Sequence, residues 1–300
     1  MIKNNQNHNR KMQSRMDILE ENQRYLFKFS YVGKGRFYGS QRQKKLSTIE
    51  GCLIDVLLKK RYILNIKNSE IEFASRTDRY VSALGAAFSF LPLKPPVLME
   101  INSGLPKELG VWAYVKVQKD FLSRYNALLR HYKYIVPVPL SNLRKNFKID
   151  LPLMEKACQE LEGQHDFKNF SKSEKAEVKT IRTMDSVKMN IDNDFLVFNF
   201  KSKAYLRQQI RRMVKKVLDL GMGLIDYDDF LKLFDPSQDI SYQPADPSGL
   251  ILWDIEFGEN VHFVIDMKSI NRMKGYFFNQ EMKFKLKHQL FSILQQHNFS

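Results

Sequence analysis

The chain has 300 residues, with 48 Lys and Arg against 33 Asp and Glu, and a formal net charge of +15 at neutral pH. That balance points to a polyanionic partner, and no stretch approaches the ~20 consecutive apolar residues of a membrane-spanning helix, which excludes that class. The two cysteines, Cys52 and Cys158, lack metal-ligand spacing, so a disulfide scaffold and a zinc module are excluded and a reducing, cytoplasmic setting is expected.

Residues 1–24 are polar and mixed in charge, without the apolar run of a secretory leader, and read as a flexible arm. From Tyr25 to Tyr31 aromatic residues alternate with Leu26, Lys28 and Ser30, the period of a strand with at least one buried face, and Gly33 and Gly35 end it. Ser47-Thr48-Ile49-Glu50 has capping-box spacing, and Ile49, Leu53, Val56 and Leu57 predict a helix to about residue 60. Strands are predicted at 71–75 and 81–91, on either side of the polar loop Arg76-Thr77-Asp78-Arg79. Alternating Val111, Ala113, Val115 and Val117 mark another strand, and 130–138 one more, closed by Pro137 and Pro139.

The Ser/Asn/Lys-rich stretch 141–148 reads as a domain boundary. A helix opened by Asp150 with Pro152 in its first turn follows, then strands near 183–189 and 195–201. A long helix is predicted from about residue 204 to 220, stopped at a left-handed Gly221. A hairpin of 251–257 and 261–267 and a basic C-terminal helix complete the chain. Strands and helices interleave twice, which indicates an α+β protein of two halves, residues 25–140 and 149–258, with the 1–24 arm before them and a 259–300 extension after.

Three segments carry candidate chemistry. Asp78 is flanked by two guanidinium groups in a tight loop, an arrangement that would hold its carboxylate charged and oriented, as a nucleophile requires; a surface-paired turn residue is the alternative. The stretch Lys201–Lys216 holds seven basic residues and no acid. Leu206, Ile210, Met213, Val214 and Val217 form an apolar stripe there, with Arg207, Arg211 and Lys215 along its edge, and Lys203 just ahead. Between Arg124 and Tyr134, aromatics interleave with cations, including Arg130, Tyr132 and Lys133, a pattern that can stack a base with phosphate contacts, though composition favours a core face shared by Tyr132 and Tyr134. His165-Asp166 reads as a structural loop. No phosphate loop, dinucleotide fingerprint, H-E-x-x-H motif or cysteine cluster is present, so no nucleotide, redox cofactor or metal is expected.

In order, these segments resemble the TruA family of tRNA pseudouridine synthases over about residues 25–257. The matching stretches are Tyr31-Val32-Gly33 with Phe37-Tyr38-Gly39-Ser40-Gln41-Arg42-Gln43 and Thr48-Ile49-Glu50; Arg76-Thr77-Asp78 with Val81-Ser82-Ala83; and Arg124-Tyr125-Asn126-Ala127 with Arg130-His131-Tyr132-Lys133-Tyr134. They continue through Gly163-Gln164-His165-Asp166-Phe167, Tyr205-Leu206 with Ile210-Arg211-Arg212-Met213-Val214, and Ala245-Asp246-Pro247-Ser248-Gly249-Leu250. The resemblance implies two halves like RNA-recognition or ferredoxin-like modules, with mostly antiparallel strands in a central sheet flanked by helices. It implies a homodimer acting on the 3′ side of the tRNA anticodon stem-loop without a cofactor. Asp78 falls on its catalytic aspartate, Tyr132 on its active-site tyrosine, Arg211 on the arginine paired with the aspartate and Leu250 on the uridine-pocket leucine. Arg76, Thr77, Arg79, Arg130, Lys203 and Arg207 are then expected to contact RNA. Two residues depart from the pattern: Tyr80 stands where the family has glycine, and so does Lys215. A non-catalytic RNA-binding protein on the same scaffold is the rival expectation, with Tyr80 blocking the pocket; a metal-dependent nuclease lacks clustered carboxylates.

Overall fold

The strands of the chain, in order, are β1 (Arg24–Tyr31), β2 (Glu72–Phe73), β3 (Ser82–Phe90), β4 (Leu109–Val117), β5 (Leu129–Ile135), β6 (Gly163–Asp166), β7 (Ile181–Met184), β8 (Ser186–Asp192), β9 (Phe195–Ser202), β10 (Leu250–Glu256) and β11 (Val264–Ile265). They belong to a computed structural model that describes residues 23–33, 35–172 and 179–296. The 1–24 arm therefore lies almost wholly outside the described residues. A central sheet runs β11-β4-β1-β3-β10-β5-β9-β8, with β2 added to β3, and β6-β7 form a separate ribbon. Every pairing is antiparallel except β10 with β3, where Ile251 faces Ser82 and Leu252 faces Ala83. Among the described residues no helix is long and apolar enough to cross a membrane.

The aromatic alternation of β1 forms a strand buried on both faces, because β3 and β4 flank it and other elements cover each side. On one face Phe27 stacks on Phe88 and Phe90, at centroid distances of 5.0 and 5.1 Å. On the other, Lys28 is buried, donating to Asp254 Oδ1 and the Ile255 carbonyl, while Ser30 meets Met273 of the C-terminal helix Met267–Gln295. Leu53 and Leu57 of helix Ile49–Lys59 and Met213, Val214 and Val217 of helix Gln209–Gly221 are buried in one core with Tyr134, Phe198 and Phe200. The apolar stripe expected near residue 210 thus packs as a core face.

Four local expectations are corrected. The cap of helix Ile49–Lys59 is Thr48, whose hydroxyl accepts from the Gly51 amide at 3.2 Å; Ser47 is not the cap, and Glu50 turns away to accept from the Arg42 amide at 3.0 Å. The long basic helix starts at Gln209, since Gln208 is left-handed with φ 60°; Lys203 and Arg207 therefore lie in the approach to it, and no continuous Arg207–Arg211–Lys215 ridge exists. That helix includes Gly221, and the left-handed glycine is Gly223, at φ 69°. Alongside these, helix Leu140–Asn146 occupies most of the 141–148 stretch and is tied to the β8–β9 turn by the Ser141 hydroxyl on Asp194 at 2.6 Å. Finally, 251–267 is not a hairpin: β10 sits mid-sheet between β3 and β5, and β11 pairs with β4 at the far edge. β5, the last strand of the expected first half, pairs with β10 and β9.

Candidate active site

The loop between β2 and β3 presents Asp78, and its backbone is clamped. The Ser40 amide donates to the Thr77 carbonyl at 3.1 Å, the Thr77 amide donates to Ser40 Oγ at 2.7 Å, and the Tyr31 and Thr77 hydroxyls lie 2.7 Å apart. The Val81 amide closes the turn on the Asp78 carbonyl at 3.3 Å. Gly33 packs so closely beneath that a β-carbon there would stand 2.1 Å from the Val81 carbonyl oxygen. Thr77, expected to contact RNA, is thus a fixed point of the loop.

Arg211, 133 positions later, reaches Asp78 from the first turns of helix Gln209–Gly221. Its Nη1 lies 2.9 Å from Asp78 Oδ2 and its Nε donates to the Ala245 carbonyl at 2.8 Å. The Arg211 side chain is 9% exposed and that of Asp78 37%, so a buried guanidinium holds a carboxylate that still faces open space. One oxygen is paired and the other is left available for chemistry.

Tyr132 comes from β5, where Arg130, Tyr132 and Tyr134 share the buried face. Its ring lies edge-on to Tyr205, with centroids 5.2 Å apart. Burial pushes the phenol up to about 12; Arg130 and a hydrogen bond with Ser75 oppose the shift and the Asp78 charge adds to it. The phenol therefore carries its proton at any working pH. Arg130 does not present its guanidinium to solvent. Its donors go to Ser75 Oγ and the Ala74 and Arg124 carbonyls, each at 2.8 Å, and to the Lys203 carbonyl. Burial lowers its affinity for a proton from the usual arginine range, and four protein acceptors satisfy it in compensation. It ties the walls of the site together.

These groups meet at one cavity of about 810 Å³, lined by Asp78, Tyr132, Arg211 and Leu250, with Arg76, Thr77, Arg79, Arg124, Arg130 and Arg207 around them. Leu250, half of a register pair with Tyr134, supplies the apolar wall. Arg76, Arg79 and Arg207 are exposed at the opening; Lys203 is exposed but is not among the lining residues. Tyr80 is also absent from the lining, so it does not block the pocket. His165 is structural as expected, its Nε2 2.7 Å from the Glu162 carbonyl and its ring 4.8 Å from that of Phe234. Among the described residues no group of three or more His, Cys, Asp or Glu is placed to hold a metal ion.

The sequence reading missed Glu50, Ser75 and Tyr205 as members of the site. Glu50 lines the cavity as a second carboxyl, raised above the usual range by burial and held back by the Arg42 amide and the Arg76 charge. Glu50 and Tyr205 fall within quoted motifs, but nothing in their spacing says that helix Ile49–Lys59 and the approach to helix Gln209–Gly221 bring them to the same cavity.

The chain thus presents a mainly antiparallel sheet flanked by helices, with an Asp–Arg pair opening on a cation-rimmed pocket. The family model described as tRNA pseudouridine synthase matches residues 157–258. A tRNA pseudouridine synthase A of Methanosarcina mazei is 32% identical over 252 residues, 83% of this chain and 90% of that one. The enzyme of Methanothrix thermoacetophila is 34% identical over 77% of this chain and 82% of its own, and that of Archaeoglobus fulgidus 29% identical over 92% and 99%. The chain belongs to this family of isomerases, the tRNA pseudouridine synthases of the A type. A solved Cbf5–Nop10–Gar1 complex overlaps 65% of this chain and 45% of its own at 11% identity with a TM-score of 0.31, too distant to bear on the site.

Proposed function

We propose that the protein isomerises uridine to pseudouridine on the 3′ side of the tRNA anticodon stem-loop, with Asp78 as the covalent nucleophile. The N1–C1′ bond breaks, the uracil turns and C5 bonds to C1′; C5 gives up its proton and N1 ends protonated. Family membership supports the reaction class, and the observation that carries the residue assignment is the Arg211–Asp78 pair at 2.9 Å, open on its free side to a cavity shared with Tyr132. Arg211 holds and aims the carboxylate. Tyr132, protonated and buried, offers a ring edge and a proton beside the uracil, and Leu250 supplies apolar contact. Everting the base costs a few kcal/mol, offset by backbone contacts from Arg76, Arg79, Arg207 and Lys203. The enzyme works as a cytoplasmic homodimer whose basic clefts receive tRNA.

Asp78→Asn keeps the shape and loses the nucleophile. It abolishes tritium release from C5-labelled tRNA while tRNA affinity stays within about tenfold, 1.4 kcal/mol. Substantial turnover in this variant removes Asp78 from the nucleophile role; lost affinity with retained turnover per bound tRNA makes it a binding group.

A further inference from the structure

Next to Asp78, the mouth of the cavity carries two tyrosines, Tyr38 and Tyr80, to which the reaction assigns no role. The Arg79 guanidinium packs over two phenol rings, 4.0 Å from the centroid of Tyr38 and 4.6 Å from that of Tyr80. Both tyrosines are 39% exposed, so each keeps surface open to solvent while in contact with the cation. Tyr38 and Arg79 line the cavity and Tyr80 stands just outside. Core burial does not account for an arrangement this exposed.

Tyr80 is also costly where it stands. Its φ is 71°, in the left-handed region that a side chain with a β-carbon rarely adopts and that glycine enters freely. Its backbone packs directly against Gly33, where a β-carbon would stand 2.6 Å from the Tyr80 carbonyl carbon and 2.1 Å from the Val81 oxygen. A strained, exposed aromatic kept beside Asp78, in contact with a cation, has the chemistry of base recognition: a ring face stacks on any nucleobase, and a guanidinium packed over ring faces keeps its edge donors for phosphate.

The target uridine, once everted, fills the cavity with Asp78 and Tyr132. Its neighbour in the RNA strand then loses one stacking partner. We propose that Tyr38, Arg79 and Tyr80 form a platform that stacks an unpaired base adjacent to the target uridine, with the Tyr80 ring as its main stacking face. This rests on the synthase reading and extends it to the substrate's flanking nucleotide.

The test uses the full chain and an RNA stem-loop carrying 2-aminopurine beside the target uridine, on the 5′ side in one RNA and the 3′ side in the other. Binding of the unmodified protein quenches the fluorescence of one of them. Tyr80→Phe retains the quenching; Tyr80→Gly and Tyr80→Leu lose it. In tRNA turnover, Tyr80→Gly raises KM about tenfold, equivalent to 1.4 kcal/mol, and leaves kcat within about twofold. Tyr80→Gly also melts no lower than the parent, because glycine relieves the left-handed strain. A residue that only braces the loop gives the reverse, a lower melting temperature and a lower kcat at unchanged KM. That result, or unchanged quenching and KM in Tyr80→Gly, overturns the platform. Absence of tritium release by the unmodified protein would count against the synthase reading, and the fluorescence arm would still decide the platform.

Discussion

At Arg211, one guanidinium performs two tasks from fixed atoms: Nε on the Ala245 carbonyl and Nη1 on Asp78. A lysine carries the charge but has a single ammonium and cannot hold both directions at once. Arg211→Lys is expected to lower kcat by about 10²-fold, the scale of losing one oriented charge partner, with KM changed only a few-fold. Pseudouridine formation and tRNA affinity measured side by side decide it; a variant that merely steepens the salt dependence of binding marks Arg211 as a phosphate contact. Identity alone does not show the partners of Arg130. An arginine among aromatics on a predicted strand reads as an RNA contact, yet its donors are spent on protein acceptors. Tyr80 shows the complementary case, because its departure from glycine was visible in the residues while its positive φ was not.

Among the elements, the seam between β3 and β10 joins the catalytic loop to the strand that carries Leu250. Gly85 lies where the two approach most closely. A β-carbon there would stand 2.3 Å from Asp254 Oδ1 and 2.8 Å from the Trp253 carbonyl oxygen, and the backbone atom cannot move without opening the parallel pairing. Gly85→Ala is expected to destabilise the fold by about 1–3 kcal/mol, the usual range for overpacking. Thermal or denaturant unfolding reads the loss, and an unchanged midpoint would mean that the seam flexes freely. The strands and the apolar stripe of helix Gln209–Gly221 were legible because their periods are local. The start of that helix was not: Gln208 is left-handed and donates no cap of its own, and sequence periodicity continues through the preceding turn without registering the break. The same applies to 251–267, where two strand-like runs close in sequence pair with partners at different places in the sheet.

For the molecule as a whole, the net charge of +15 sets how it meets RNA. Arg76, Arg79 and Arg207 are exposed around the cavity, so tRNA binding should release counterions. Four phosphate contacts imply a fall in affinity on the order of 10²-fold for a fourfold rise in salt. Filter binding or fluorescence titration across that range checks it, and a flat dependence would remove the electrostatic account of docking.

Composition, strand and helix periods and the order of short motifs determined the basic character, the α+β class and the family, since each depends on residues near one another along the chain. Which residues share the pocket was decided by tertiary structure alone. Asp78 and Arg211 are 133 positions apart, and they meet because β10 runs parallel to β3 and antiparallel to β5, which in turn pairs with β9, bringing the start of helix Gln209–Gly221 over the Asp78 loop. Sheet order is chosen by the burial of whole faces against one another, and a one-dimensional pattern carries the faces but not their neighbours.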